Sequence, residues 1–204
     1  MDPKKILPFF SYLFHPLFIS VYAALFYFFV TRSFFYPYEI FLILFQISIL
    51  TVFLPISMYF LLKSLGLAKS SIMLHEKKER RLPLAFQAMF FLILTQHSFS
   101  TVVVPELYYF FLGALISTLL TLLLIVFHFK ASIHMIGITG ITLFIIGISL
   151  HYGIPFVSLV AFFIVSTGLV ASSRLYMQAH SMKELLVGIL VGAIPQLSLW
   201  YFWL

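Results

Sequence analysis

Apolar stretches of about twenty residues follow one another along this 204-residue chain, separated by brief polar turns and one long polar connection, Lys63 to Pro83. About twenty apolar residues is the length a helix needs to cross a bilayer. A chain built this way has few places to fold except in a membrane. The balance of residue types agrees: 63% are hydrophobic and only 9% charged, with a mean hydropathy of +1.13, where a soluble domain carries roughly 25% charged residues. Helical periodicity is weak because most faces meet lipid or another apolar helix. A transmembrane barrel would alternate apolar and polar residues over short segments, and this chain does not. The predicted fold class is all-α, a polytopic transmembrane helical bundle, with residues 1–204 as a single integral membrane domain.

Seven spans are predicted, at about 7–30, 39–62, 84–104, 106–127, 133–150, 154–172 and 184–204. The N-terminus, Met1-Asp2-Pro3-Lys4-Lys5 before an apolar run, has the charge pattern of a signal peptide. The run continues to about Val30 without a convincing cleavage site, so a retained first span is expected. Pro16, Pro55 and Pro195 fall inside spans and are expected to kink them, with neighbours satisfying the freed carbonyls. Seven spans put Lys4, Lys5, Lys63, Lys69, Lys77, Lys78, Arg80, Arg81, Lys130, Arg174 and Lys183 on one side and Arg32 alone on the other. The positive-inside rule makes the first side cytoplasmic. The expected location is a bacterial inner membrane, N-terminus cytoplasmic and C-terminus external. The net charge of +6 then reflects basic loops and not nucleic-acid binding.

With no cysteine in the chain, disulfides, thiolate metal sites and cysteine nucleophiles are excluded. Three polar clusters share the basic side. The first is His75-Glu76-Lys77-Lys78-Glu79-Arg80-Arg81-Leu82-Pro83, the second Lys130-Ala131-Ser132-Ile133-His134, and the third runs from Ser173 to Glu184. In the third, His180 and Glu184 are i and i+4, so on a helix they share one face. A carboxylate there holds one imidazole nitrogen and aims the other, an arrangement suited to a nucleophile or base. Arg174, upstream, supplies a guanidinium able to grip an anion. Cations beside a pair of histidines suit a phosphate ester: the cations bind its charge, one histidine attacks and the other protonates the leaving group. Histidines clustered densely enough for a membrane metal oxygenase are lacking. The ionisable groups lie mostly at span ends, not near mid-membrane where a transporter would favour them.

Plainer readings exist for the same residues. Arg174 and Lys183 fit interfacial anchors, and the basic 77–81 run fits a topology determinant. Gly188 and Gly192 fit a small-xxx-small packing face. His15, His97, His128 and His151 are scattered and carry no assigned role.

At the three clusters the chain resembles the type 2 phosphatidic acid phosphatase (lipid phosphate phosphatase) superfamily. Ser173-Arg174, five residues, His180, three residues and Glu184 match that family's third motif, with Glu in place of Asp. Ala131-Ser132-Ile133-His134 keeps the serine and histidine of the second motif, Pro-Ser-Gly-His, without its proline and glycine. Arg80-Arg81-Leu82-Pro83 echoes the first motif and lacks its lysine. The likeness spans about 75–190. It implies a six-helix phosphatase-type core and a metal-independent hydrolase with no cofactor, acting on a phosphomonoester or pyrophosphate of a lipid or polyprenyl alcohol. It implies His180 as the nucleophile that forms a phosphohistidine, Glu184 as its orienting carboxylate and His134 as general acid. Arg174 and Ser132, helped by Arg80, Arg81 or Lys130, would hold phosphate oxygens. Membrane lipids and a lipid phosphate are the implied partners, with no nucleic acid and with room for a homo-oligomer. Because two of the three motifs are eroded, a non-catalytic lipid-binding or scaffold protein is the alternative.

Overall fold

A computed structural model describes residues 3–66, 81–99 and 101–204, which form helices and turns with no strand among them. Among the described residues nine α-helices follow in order: α1 (Pro3–Leu13), α2 (Pro16–Thr31), α3 (Pro37–Ser48), α4 (Leu54–Ser64), α5 (Arg81–Ile93), α6 (Pro105–Val126), α7 (Ile133–His151), α8 (Val157–Tyr176) and α9 (Met182–Trp203). Among the described residues, six elements are long and apolar enough to cross a membrane: 16–34, 37–64, 105–126, 133–151, 157–176 and 182–203. The protein is therefore an all-α polytopic membrane bundle.

Prolines explain several boundaries. Pro16, Pro37 and Pro105 each open a helix, where a missing N–H costs nothing and the fixed φ suits the first turn. Pro16 thus does not kink one long first span, as the sequence suggested. It starts a new helix after a break at Phe14-His15, and the predicted 7–30 span becomes α1 and α2. Pro55 follows a π-helical turn, Ile49–Phe53. It cannot donate to the carbonyl four residues back, and the ladder widens there, with Leu54 N bonding to Ile49 O. Pro195 lies inside α9. It leaves the Val191 carbonyl without its helical donor, and Ser117 Oγ of α6 donates to that oxygen at 2.9 Å.

The expected span at 84–104 is the one that differs. It corresponds to α5 and a second π turn, Leu94–Ser98, and is not among the six crossing elements. Arg81, Gln87, Gln96 and His97 dilute its apolar character.

Helix α7 is the centre of the bundle and touches α2, α6, α8 and α9. Its residues Met135, Ile138, Ile141, Phe144, Ile145 and Ile148 are buried. The seam with α9 is close because two glycines face it: a Cβ at Gly188 would stand 2.8 Å from Ser132 O, and one at Gly192 would stand 2.6 Å from Ile136 O. The packing reading of these two glycines therefore holds. At the far end from the polar clusters, Glu106 in the first turn of α6 is 3% exposed. It accepts from Tyr27 Oη (3.1 Å) and Tyr152 Oη (2.7 Å) and faces His151 Nε2 at 3.3 Å. That network ties α2, α6 and α7 together.

Candidate active site

The turn between α8 and α9 is short and heavily hydrogen-bonded. Ala179 N bonds to Arg174 O (3.1 Å) and Gln178 N to Leu175 O (2.9 Å). This pair of bonds is the Schellman ending of a helix, which needs a left-handed residue between them. Gln178, at φ 50°, supplies it. The chain then turns directly into α9, whose N-cap is Ser181. His180 thus lies one residue before the cap, outside the helix, and the face-sharing geometry predicted from i, i+4 spacing is not what pairs it with Glu184. The pairing comes from a capping box. Glu184, at the third position of α9, reaches back so that Oε2 accepts from Ser181 N and from His180 Nδ1, both at 3.0 Å, while Ser181 Oγ accepts from Glu184 N at 3.4 Å. One carboxylate caps the helix and orients the imidazole. With Nδ1 donating to Glu184, the ring's lone pair is on Nε2.

Two further bonds bring the second cluster to this turn. Ser132 N donates to Glu184 O (3.1 Å), and Lys130 Nζ donates to Ala179 O (3.0 Å). Ser132 is the N-cap of α7 but does not use its hydroxyl to cap. That hydroxyl is fully buried and has no hydrogen-bond partner among the described residues. A buried polar atom of this kind calls for an explanation.

His134, in the first turn of α7, is buried, and its Nε2 stands 3.1 Å from the Ser11 carbonyl. A carbonyl only accepts, so this nitrogen carries a proton. Ser11 belongs to α1, and its hydroxyl also shares a 2.6 Å hydrogen bond with Ser173 Oγ. The last turn of α1 therefore sits on residues of both remaining motifs. Next to it, His15 caps α2, and its ring lies edge-on to His134 with centroids 5.2 Å apart. Burial, then the charge of Arg174, lowers the His15 pKa to about 4. Arg174, on the last turn of α8, is 2% exposed, and its Nη1 donates to Met177 Sδ at 3.8 Å.

His15, His134, Arg174 and His180 all line one cavity of about 220 Å³. The N-termini of α2, α7 and α9 meet there, each with a partial positive charge that favours an anion. Two of the three polar clusters have converged. The third has not done so in the expected way. Arg80 and His75 to Glu79 lie outside the described residues. Arg81 opens α5, is exposed, and is not among the side chains lining the cavity. A long cation at a helix end keeps its charge in water. From this region Pro83, Leu84 and Gln87 reach the cavity instead. His15 and Ser11 were missed. The available signal was Pro16, which marks a helix start at least as well as a kink and makes the preceding histidine an N-cap.

Compared with protein families, with curated proteins and with solved structures, the chain matches none of them.

Proposed function

We propose that the protein is a membrane phosphatase that hydrolyses the phosphate ester or pyrophosphate of a lipid through a phosphohistidine at His180. The observation that carries this reading is the pairing of His180 Nδ1 with Glu184 at 3.0 Å beside a buried arginine and a second, proton-bearing histidine on the same cavity. His180 Nε2 attacks phosphorus. Arg174, the unpartnered Ser132 hydroxyl and three helix N-termini stabilise the charge spread over the phosphoryl oxygens. The P–O bond to the lipid breaks, and His134, made doubly protonated by a proton carried in on the monoanionic phosphate, gives its Nε2 proton to the departing alkoxide, which leaves as the alcohol. In the resting site that N–H donates to the Ser11 carbonyl, whose place the leaving oxygen would take. Water then attacks the phosphohistidine, His134 accepts its proton, and phosphate leaves with His180 restored. Glu184 stabilises the imidazolium-like ring throughout.

The test is phosphate release from a panel of lipid phosphates by purified protein. His180→Ala should abolish it. Glu184→Gln should slow it by roughly 10- to 1,000-fold, since tautomer control and charge stabilisation are lost together. Glu184→Asp should retain it. Equal release by wild type and His180→Ala, or none by either, would replace catalysis with a lipid-binding or scaffold role. The Ser11 carbonyl already engaging His134 favours that second reading.

With α5 read as a seventh traverse beside the six crossing elements, the charge distribution supports a site face in the cytoplasm of a bacterial cell and an external Leu204. Reporter fusions at Leu204 should be active only outside the cytoplasm; activity confined to the cytoplasm would reverse the orientation.

A further inference from the structure

His15 takes no part in the phosphohistidine mechanism, although it lines the same cavity as His134, Arg174 and His180. Its backbone is set by its neighbour. A residue before proline is pushed out of the helical region, and His15, before Pro16, is extended at φ −64°, ψ 137°. That conformation makes it the N-cap of α2. Its Nδ1 accepts from Leu17 N at 3.4 Å, so the ring's lone pair is committed to its own helix. A ring that accepts at Nδ1 carries its proton on Nε2. Burial, followed by the charge of Arg174, lowers its pKa to about 4, in keeping with a neutral ring. The Nε2–H group has no hydrogen-bond partner among the described residues.

This is the reverse of the arrangement at His180. There Nδ1 donates to Glu184 and the lone pair is on Nε2; at His15 Nδ1 accepts and the proton is on Nε2. One ring is set to attack and the other to donate. The His15 and His134 rings meet edge-on, with centroids 5.2 Å apart. At that separation a phosphate facing His134 also faces His15. Charge explains why a neutral donor suits the place. Arg174 already supplies a buried cation, and a second beside it would repel the first and hold substrate and transition state alike. A neutral N–H adds a directed hydrogen bond that strengthens as charge builds on the phosphoryl oxygens.

We propose that His15 is a further substrate-contacting residue, whose Nε2–H donates to a non-bridging oxygen of the bound phosphate. It neither gains nor loses a proton in the reaction. The assignment rests on the phosphatase reading for the identity of the phosphate ester. The plainer role, capping α2, uses the other end of the ring, so two substitutions separate the roles. Asparagine places an oxygen near the position of Nδ1 and keeps the cap, but its amide stops short of Nε2. Glutamine carries an amide N–H about as far as Nε2 and caps poorly.

The experiment uses the full chain in lipid nanodiscs, with dodecyl phosphate as substrate and inorganic phosphate as a separate ligand. His15→Asn should keep the melting temperature and lower kcat/KM by roughly 100-fold, the cost of one lost donor. His15→Gln should melt lower yet stay within about tenfold of wild type in kcat/KM, since a donor remains. A capping role alone predicts the opposite order, with His15→Asn active and His15→Gln impaired in step with its melting temperature, and that order overturns the proposal. Binding is read without turnover in His180→Ala protein carrying isotope-labelled histidine. There the His15 Nε2 resonance, identified by its loss in a His15 variant, should shift as inorganic phosphate is added. If dodecyl phosphate is hydrolysed through His180 while His15→Asn matches wild type and the resonance stays still, the His15 contact is wrong and the phosphatase reading stands. If dodecyl phosphate is not hydrolysed but inorganic phosphate moves the resonance, the contact stands as an anion site and the phosphatase reading falls. A still resonance with no turnover overturns both.

Discussion

His15 presents an unusual environment for a histidine beside a candidate anion site. Its neighbours are the His134 ring and the Arg174 guanidinium, and neither would tolerate a second full positive charge. Burial and Arg174 lower its pKa from 6.5 to about 4, so the folded protein carries it neutral. Between these two values the unfolded chain binds a proton the folded chain does not. The stability this ring contributes is complete above pH 6.5 and is lost as pH falls toward 4. Melting temperature should therefore drop by several degrees over that window, and His15→Gln should flatten the drop. A slope unchanged by the substitution would clear His15 as its source. None of this could be read from the chain. Ser173, Arg174, His180 and Glu184 lie within twelve positions, so their spacing was visible as a pattern. His15 meets partners more than a hundred positions away; Pro16 marks it as a helix cap, but nothing local points to His134 or Arg174. Arg81, singled out as part of a basic pair before a proline, is exposed and does not line the cavity, and Arg80 lies outside the described residues.

The contact between α7 and α9 sets the spacing of the two halves of the candidate site, since Ser132–His134 opens one helix and Glu184 lies on the other. Gly192 keeps that contact close. A methyl group there would come within 2.6 Å of a backbone oxygen, which cannot rotate away as a flexible side chain can. Gly192→Ala should lower stability by about 1–3 kcal/mol, measured by thermal melting. Gly168 of α8 is the control, because its Cβ would meet nothing within 4 Å. There the same change should be neutral or stabilising by up to about 1 kcal/mol, the helical preference for alanine over glycine. Equal effects at both positions would show that close approach is not the cause. Helix existence was largely legible, because twenty apolar residues in a row leave little choice. Breaks were harder. Pro16 and Pro55 have the same local signature, yet one begins a helix and the other follows a π turn. The outcome depends on whether tertiary neighbours can take up the displaced chain.

The bundle is fastened differently at its two ends. One end gathers the candidate site, with its unpartnered Ser132 hydroxyl and its cavity. The other is braced by Glu106, which collects the Tyr27 hydroxyl from α2 and the Tyr152 hydroxyl and His151 from the end of α7. Glu106→Gln replaces one acceptor oxygen with a donor that suits the acidic hydroxyls poorly. It should cost about 1–3 kcal/mol, seen as a lower melting temperature. Phosphate release at room temperature should be nearly unchanged, since the brace is at the opposite end; a large loss of activity without a change in melting would mean the ends are coupled.

The bond between Ser11 and Ser173 joins residues 162 positions apart. Ribosomes add roughly 5–20 residues per second, so roughly 10 to 30 seconds pass between the synthesis of α1 and that of its docking surface on α8. Through that interval α1 has no site to occupy, and the carbonyl that will meet His134 is elsewhere. A nascent chain can insert its early helices one by one while remaining chemically inert. The candidate site closes only after α8 and the turn that follows it, with His180 and then Glu184, have both arrived.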